Sequence, residues 1–165
     1  MPTIYVIRHA IAADRGEQWP DDTRRPLTHE GIARMRAVVA GLRAMDVTFD
    51  AVLTSPLSRA RQTAKLLIAD LEPEPPIIET PELAPGHPPA EIAKALAAER
   101  ARTSLALVGH EPDLGELAAW MIGARTPLAF KKGGVCCIEF AGRVRAGAGV
   151  LHWMALPKML RALAE

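Results

Sequence analysis

The stretch Thr3-Ile4-Tyr5-Val6-Ile7-Arg8-His9-Ala10 decides the fold class of this chain. Its first five residues all favour a β-strand, and three of them are β-branched aliphatic residues. A continuous apolar run of this length is typical of a strand that is buried on both faces in a parallel sheet. Arg8 and His9 then lie at its carboxyl end, where open α/β sheets bind their ligands. Taken alone, the pair fits a surface charge beside a capping imidazole equally well.

The composition is that of an ordinary globular protein, and it excludes several classes of function. The 165 residues are 49% apolar and 24% charged, and we predict one domain over residues 1–165. A formal net charge of +1 provides no overall field, so we expect neither nucleic acid nor membrane as a partner. No run approaches the ~20 apolar residues of a membrane span, and we find no signal peptide. The only cysteines, Cys136 and Cys137, are poorly placed to pair, which predicts reduced thiols and a cytoplasmic protein.

The rest of the chain alternates strand-like and helix-like segments. We expect further strands at 49–54, 77–78, 104–108, 134–140 and 149–156. We expect helices from about residue 28, then at 58–67, 89–101 and 112–122, and from residue 157. A glycine-rich turn joins the last two strands and predicts an antiparallel pair at one sheet edge. The pattern predicts an α/β fold with a mixed sheet.

Three of the strand-to-helix junctions carry candidate phosphate ligands: Arg8-His9, Ser55-Pro56-x-x-Arg59 and Gly109-His110. If the three strands are parallel neighbours, two arginines and two histidines meet at one edge of the sheet. Two guanidinium groups can bind phosphoryl oxygens bidentately, and the following helix N-termini add backbone N–H donors. A neutral imidazole in such a pocket can attack phosphorus. Spacing alone does not establish that the junctions converge.

The same motifs resemble those of the histidine phosphatase, or phosphoglycerate mutase-like, superfamily. The shared motifs are Arg8-His9-Ala10, the run Ser55 to Ala64 (Ser-Pro-x-x-Arg-Ala-x-Gln-Thr-Ala) and Val108-Gly109-His110. Further segments resemble the short bacterial phosphohistidine phosphatases of the SixA type: Arg25-Pro26-Leu27-Thr28-x-x-Gly31, Pro81-Glu82-Leu83, Gly109-His110-Glu111-Pro112 and Leu151-x-Trp153-x-x-x-Pro157. The resemblance covers nearly the whole chain and implies a three-layer α/β/α sandwich with a mostly parallel mixed sheet and an antiparallel edge.

The resemblance also implies a role for each matching residue. His9 is the nucleophile, which forms a transient phosphohistidine that water hydrolyses. Arg8, Arg59 and His110 bind the phosphoryl group together with His9 and stabilise charge in the transition state. No cofactor and no metal ion are implied, because cationic side chains neutralise the phosphoryl oxygens.

The resemblance does not identify which carboxyl group is the general acid. Many members of the family place a carboxyl group near the end of the third strand, and Glu82 is the candidate there. Asp22, in the polar loop before Arg25, is the second candidate. A phosphoramidate substrate makes the acid less critical, because a protonated imidazole is a better leaving group than an alkoxide.

These expectations define one preferred function and two alternatives. The preferred function is a metal-independent phosphatase that acts on phosphohistidine of a protein in signal transduction, such as a phosphotransfer domain, because the short chain has little spare length for a lid. A small-molecule phosphomonoesterase of the same superfamily would use the same residues together with Glu82. A phosphate- or phosphoprotein-binding module without turnover is the third possibility. Outside these motifs, the pair Lys131-Lys132 fits two interpretations. The two lysines contact an acidic partner surface, or they are solvated residues that precede the next strand.

Overall fold

A computed structural model describes the whole chain, from Met1 to Glu165, and its centre is one mixed β-sheet. Six strands form this sheet: β1 (Thr3–Arg8), β2 (Ala51–Thr54), β3 (Ile77–Glu79), β4 (Ser104–Gly109), β5 (Val135–Phe140) and β6 (Gly149–Ala155). Their order across the sheet is β3-β2-β4-β1-β5-β6. Strands β1 to β4 are mutually parallel, whereas β5 is antiparallel to β1, and β6 is antiparallel to β5. The expected mostly parallel sheet with an antiparallel edge is confirmed.

Five α-helices cover the two faces of the sheet: α1 (His29–Ala44), α2 (Ser58–Ile68), α3 (Pro89–Leu96), α4 (Asp113–Ile122) and α5 (Pro157–Leu163). Helices α1, α2 and α5 enclose one apolar core with the sheet, and α3 and α4 enclose the other. Alternate side chains of β1 pack into the two cores, with Ile7 in the first and Val6 in the second. The molecule therefore has the expected three layers. None of the helices combines the length and apolar character that crossing a membrane requires.

Two elements are shorter than the sequence predicts by two residues or more. Strand β2 begins at Ala51 rather than residue 49, and just before it the Asp50 carboxylate accepts hydrogen bonds from the backbone N–H groups of Thr103 (2.8 Å) and Ser104 (2.9 Å). The Asp50 N–H also donates to the Ser104 carbonyl (2.8 Å), so these bonds attach the start of β2 to the segment that leads into β4. Helix α3 ends at Leu96 and continues only as a short 3₁₀ turn.

The sheet order brings the three candidate junctions to one edge. Strand β4 lies between β1 and β2, with Arg8 opposite Gly109 and Thr54 opposite Val108. The ladder extends one residue past two of the strands, because the N–H of His9 donates to the Gly109 carbonyl (3.1 Å) and the N–H of Ser55 donates to Val108 (3.0 Å). The carboxyl ends of β1, β2 and β4 are thus held in register, and the side chains that follow them share one site.

Candidate active site

His9 lies directly beyond β1 and is almost completely buried, with 6% of its surface exposed. Its Nδ1 is 2.7 Å from the backbone carbonyl oxygen of Ala10. Because a carbonyl oxygen can only accept, Nδ1 must carry the proton, and the lone pair of the neutral ring is on Nε2. This contact fixes the tautomer that a nucleophilic imidazole needs.

Both buried histidines are neutral near pH 7. The pKa of His9 is lowered to about 4, chiefly by burial and also by the charges of Arg59, Arg8 and Lys132, against the opposing effect of the bond to Ala10. Burial also lowers the pKa of His110 to about 3, with the His9 ring and Arg59 acting in the same direction. The two rings lie with their centroids 5.1 Å apart. An uncharged His9 retains the lone pair that attack on phosphorus requires.

Arg8 is the last residue of β1 and is fixed by the loop that precedes β5. One of its terminal guanidinium nitrogens donates to the carbonyl of Phe130 at 2.8 Å. The Glu111 carboxylate holds that loop, since it accepts hydrogen bonds from the backbone N–H groups of Gly115 (2.7 Å) and Phe130 (3.3 Å). Burial lowers the pKa of Arg8, and the charge of Glu111 partly offsets this effect. Glu111 therefore positions Arg8 through Phe130, a role that the sequence does not predict.

Arg59 lies in the first turn of α2 and is 3% exposed. Its terminal nitrogens donate to the backbone carbonyl of Asp22 (2.9 Å) and to the Asp22 carboxylate (3.2 Å). One turn later, the Thr63 hydroxyl donates to the Arg59 carbonyl (2.8 Å) and accepts from the N–H of Ala10 (3.0 Å). Thr63 therefore ties the segment that carries His9 to the helix that carries Arg59.

His110 follows β4, is 4% exposed, and contacts Ser55 at the end of β2. Its Nε2 is 2.8 Å from the Ser55 hydroxyl oxygen, which also accepts a hydrogen bond from the backbone N–H of Leu57 (3.2 Å). The Ser55 hydroxyl can donate its proton to Nε2 or accept from Nε2–H, so this contact alone does not fix the tautomer of His110. In the tautomer in which Ser55 donates, Nδ1 of His110 carries the ring proton and is a donor.

Three nitrogens of this cluster are buried and have no hydrogen-bond partner in the chain: Nε of Arg8, Nε of Arg59 and Nδ1 of His110. Unpaired buried polar groups are rare in folded proteins, because each costs free energy. All three belong to the residues that the sequence identifies as phosphate ligands, and a tetrahedral oxyanion has enough acceptor oxygens for all of them. The structure therefore brings Arg8, His9, Arg59 and His110 together in a site suited to a phosphoryl group. Within the chain, no group of three or more His, Cys, Asp or Glu side chains is arranged to bind a metal ion.

Asp22 lies in this site, but as the ion-pair partner of its arginines. Its carboxylate is 3.0 Å from Nε of Arg25, 3.2 Å from Arg59 and 3.5 Å from Arg15. Burial by itself raises the pKa of the Asp22 carboxyl group, but the hydrogen bond from Arg25 and the charges of Arg59 and Arg25 outweigh it, so that the pKa lies below its usual value. An ionised Asp22 has no proton to donate near neutral pH.

Glu82 is half-buried in the short 3₁₀ turn Pro81–Leu83, which follows β3. The N–H of Thr80 donates to the Thr54 carbonyl (2.8 Å), and a Cβ added to Gly109 would lie 3.5 Å from the Leu83 carbonyl oxygen. The turn therefore packs against the end of β4, beside His110. The Glu82 carboxylate forms no ion pair, unlike that of Asp22. This contrast favours Glu82 as the proton donor, and the choice between the two carboxyl groups stays a prediction.

The first testable prediction concerns the carboxylate that contacts Arg59. In Asp22→Asn the negative charge beside the Arg59 guanidinium is lost, so a bound oxyanion no longer competes with a carboxylate for that group. We expect the inhibition constant for inorganic phosphate to fall about fivefold, because the repulsion between the Asp22 carboxylate and the bound phosphate, roughly 1 kcal/mol, is lost. Asp21→Asn is the matched control, because Asp21 only caps the next turn through Thr23. Unchanged phosphate inhibition together with a loss of monoester turnover of 100-fold or more would instead identify Asp22 as the acid.

The second prediction concerns acid stability. The pKa of His9 is about 4 and that of His110 about 3 in the folded chain, whereas an unperturbed histidine titrates near 6.5. The unfolded chain therefore binds more protons between these values, and the free energy of unfolding decreases as the pH falls from about 6.5 to 4.5. We expect a loss on the order of 2 kcal/mol for each histidine, measured by urea unfolding. In His9→Asn the decrease in the free energy of unfolding should be smaller by the contribution of His9. His29→Asn, at an exposed helix start, serves as the control. A flat profile in both the parent chain and His9→Asn would contradict this account.

Two of the remaining three histidines contact a carboxylate outside the site. His87 contacts Glu91 at 2.8 Å, and His152 contacts Glu139 at 2.9 Å. The positioning residues Ser55 and Thr63 belong to the quoted motif, but their partners lie on other strands and loops. No local sequence signal could have assigned their roles, and the same holds for Glu111.

Comparisons with known proteins identify relatives of this chain in sequence and in fold. The sequence profile of the histidine phosphatase superfamily (branch 1) matches residues 4–119. An uncharacterized protein from Picosynechococcus sp. is 40% identical over 164 residues, which cover 95% of this chain and 98% of that protein. The structure of the protein histidine phosphatase SixA complexed with tungstate superposes with a TM-score of 0.84 at 26% identity, covering 96% of this chain and 99% of that chain. The alpha-ribazole phosphatase from Shigella flexneri shares the fold, with a TM-score of 0.72 at 20% identity over 94% of this chain and 96% of that one.

Proposed function

This chain belongs to the histidine phosphatase superfamily and is a SixA-like phosphatase, and we propose that it removes the phosphoryl group from phosphohistidine on a protein. The reaction proceeds without a metal ion, through a covalent phosphohistidine on His9. The observation that carries the proposal is the neutral His9 with its free Nε2 beside three buried, unpartnered nitrogens of Arg8, Arg59 and His110. The solved SixA structure contains tungstate, an oxyanion similar to phosphate, which supports an oxyanion site in this fold.

The mechanism follows from the protons that each residue holds. Nε2 of His9 attacks phosphorus in line with the leaving group, while Nδ1–H continues to donate to the Ala10 carbonyl, which stabilises the positive ring that forms. The bond from phosphorus to the imidazole of the substrate breaks, and that imidazole leaves with a proton. Arg8, Arg59 and Nδ1–H of His110 neutralise charge on the phosphoryl oxygens. Water then attacks the phosphohistidine, which releases phosphate and restores the neutral His9.

The state of the two carboxyl groups supports a phosphoramidate substrate. The arginine partners of Asp22 hold its pKa below its usual value, and Glu82 is half-exposed and unpaired. No contact within the chain positions Glu82 as an acid, so the site is better suited to a leaving group that accepts a proton from solvent. The connections after β2 and β4 are also short, since only three residues separate each strand from the next helix. No insertion at these two positions covers the site, which favours a protein surface as substrate.

The test compares substrates that differ only in the leaving group. We expect the kcat/KM for a phosphohistidine peptide to exceed that for the matching phosphoserine peptide by about 100-fold or more, because a protonated imidazole is a better leaving group than the alkoxide of serine, which needs a proton donor. Equal or faster hydrolysis of phosphoserine or of small phosphate monoesters would favour the phosphomonoesterase alternative. Binding of either peptide without release of phosphate would favour the binding module.

A third prediction separates the two enzymatic alternatives through Glu82. In Glu82→Gln the proton donor is lost, so we expect hydrolysis of a phosphate monoester to fall about 100-fold. Hydrolysis of the phosphohistidine peptide should change by less than about threefold, because its leaving group needs no donor from the protein. Glu79→Gln is the matched control at the end of β3, where the carboxylate only contacts Arg61 at 3.7 Å. Equal losses on both substrates would show that Glu82 does not act as the acid.

A further inference from the structure

Every charged residue that lines a groove beside the proposed phosphoryl site is a cation. It has a volume of about 570 Å³ and lies between α1, the loop that precedes β5 and the start of α5. The charged residues that line it are Arg8, Arg34, Lys131, Lys132, Lys158 and Arg161. No aspartate or glutamate lines it. We call this cavity the basic groove.

Most of the cations of the basic groove are not neutralised within the chain. Only Arg34 has an ion-pair partner, Glu30 on the preceding turn of α1 at 2.7 Å. Lys131, Lys132 and Lys158 are exposed and Arg161 is half-exposed, and none of these four forms an ion pair. The whole chain has a net charge of only +1, so a cluster of this kind is a local feature and not a sample of a generally basic surface.

The basic groove opens onto the phosphoryl site. Arg8 belongs to both, and the charge of Lys132 reaches His9, whose pKa it helps to lower. The backbone N–H of Gly133 also lies between the carbonyl oxygens of Arg8 (3.1 Å) and His9 (3.2 Å). A substrate with its phosphohistidine at His9 therefore has its flanking residues within reach of the basic groove.

The floor of the basic groove is apolar. It is formed by Met35, Val38 and Pro157, and a Cβ placed on Gly133 would be 3.6 Å from both Met35 Sδ and Pro157 Cβ. Leu156 is 39% exposed at the edge. Cations around an apolar floor match glutamate and aspartate side chains, which combine a carboxylate with methylene groups. A polyanion without apolar groups would make no apolar contact with this floor.

We propose that the basic groove binds a segment of the phosphorylated protein that is rich in glutamate and aspartate and lies next to its phosphohistidine. This inference rests on the proposed function and specifies the substrate class. Clustered charge of one sign increases the rate of encounter with a partner of the opposite sign, and it does so less at high salt. The groove thereby selects among phosphohistidine proteins, whereas the phosphoryl site performs the same chemistry on all of them.

The test uses two phosphohistidine peptides that differ only in their flanks. One has three glutamates beside the phosphohistidine, and the other has three serines in the same positions. We expect the kcat/KM of the parent enzyme to be about tenfold higher for the acidic peptide at low salt, because electrostatic steering accelerates association by factors of about 10 and more. The preference should shrink in 0.5 M salt.

The groove variant is Lys158→Ser combined with Arg161→Ser, and the control replaces Lys94 and Arg145 by serine. Both control residues are exposed and unpaired, and they lie on α3 and in the turn between β5 and β6, away from the groove. In the groove variant the ratio of kcat/KM for the acidic peptide to that for the serine peptide should fall below about twofold. In the control variant this ratio should stay at about tenfold. Lys158→Glu, at an exposed position, should reduce the preference for the acidic peptide in the same direction.

The outcomes separate this inference from the proposed function. Equal hydrolysis of both peptides by the parent enzyme, or a preference that survives in the groove variant, would overturn the inference and leave the proposed function standing. Failure to hydrolyse either peptide would overturn both. If the parent enzyme prefers a short diol bisphosphate over its monophosphate, loses that preference in the groove variant and shows none between the peptides, the groove binds small dianions and the inference is wrong.

Discussion

Replacing His9 by alanine is expected to lower kcat for a phosphohistidine peptide by about 10⁵-fold or more, the scale seen when an enzyme loses its nucleophile. Nε2 of His9 has a free lone pair in the site, with its tautomer fixed by the Ala10 carbonyl and its neutral state by burial. Alanine removes the attacking atom but leaves both arginines in place. Turnover is measured by release of inorganic phosphate.

The control for His9→Ala is binding to inorganic phosphate, measured by calorimetry. Because Arg8, Arg59 and His110 remain, we expect the variant to bind phosphate within about tenfold of the parent chain. Retained binding with lost turnover shows that the site is intact and that the nucleophile is missing. Turnover within tenfold of the parent chain would mean that His9 does not carry the reaction.

Arg59→Lys is expected to lower kcat/KM by about 10³-fold, since arginine clamps on a transferring phosphoryl group contribute about 10³–10⁵. Lysine keeps the positive charge but has neither the planar fork nor an Nε–H group. In Arg59, two terminal nitrogens already contact Asp22, and the buried Nε has no partner in the chain. We therefore expect the loss to lie in the geometry of phosphoryl binding rather than in charge.

The matched control for Arg59→Lys is Arg61→Lys on the same helix. Arg61 is half-exposed and contacts only Glu79, at 3.7 Å. We expect its substitution to change kcat/KM by less than about twofold, as is typical of exposed ion pairs. Urea unfolding of both variants separates a catalytic loss from a loss of stability. If Arg59→Lys is as active as Arg61→Lys, the proposed two-arginine clamp is wrong.

Much of the fold follows from local sequence patterns. The apolar runs of β1 and β4 predict central strands, and both lie in the middle of the sheet. Threonine is a preferred residue at the start of a helix, and the Thr28 hydroxyl accepts a hydrogen bond from the N–H of Gly31 at 2.9 Å. Such features depend on neighbours within a few residues, so the sequence contains the needed information. The start of β2 differs because its determinant, Asp50, contacts a segment more than fifty residues away.

The site residues themselves could be named from the sequence, but the states that make them reactive could not. The neutral His9 depends on burial in the folded chain, and the contact of His110 depends on Ser55 from another strand. The bond from Arg8 to Phe130 joins residues 122 positions apart. The pairing of Asp22 with Arg59 likewise connects a loop to a distant helix. Only the folded chain shows these arginine contacts, which lower the pKa of Asp22.

The most direct test of the account is rapid quenching of the enzyme with a phosphohistidine peptide that is ³²P-labelled, followed by identification of the labelled residue. We expect a label that is stable in alkali and lost in acid, located on His9 by peptide mass spectrometry and absent from His9→Ala. It should form and decay at rates that account for kcat. Label on another residue, or full turnover with no labelled protein at any quench time, would contradict the proposed phosphohistidine on His9.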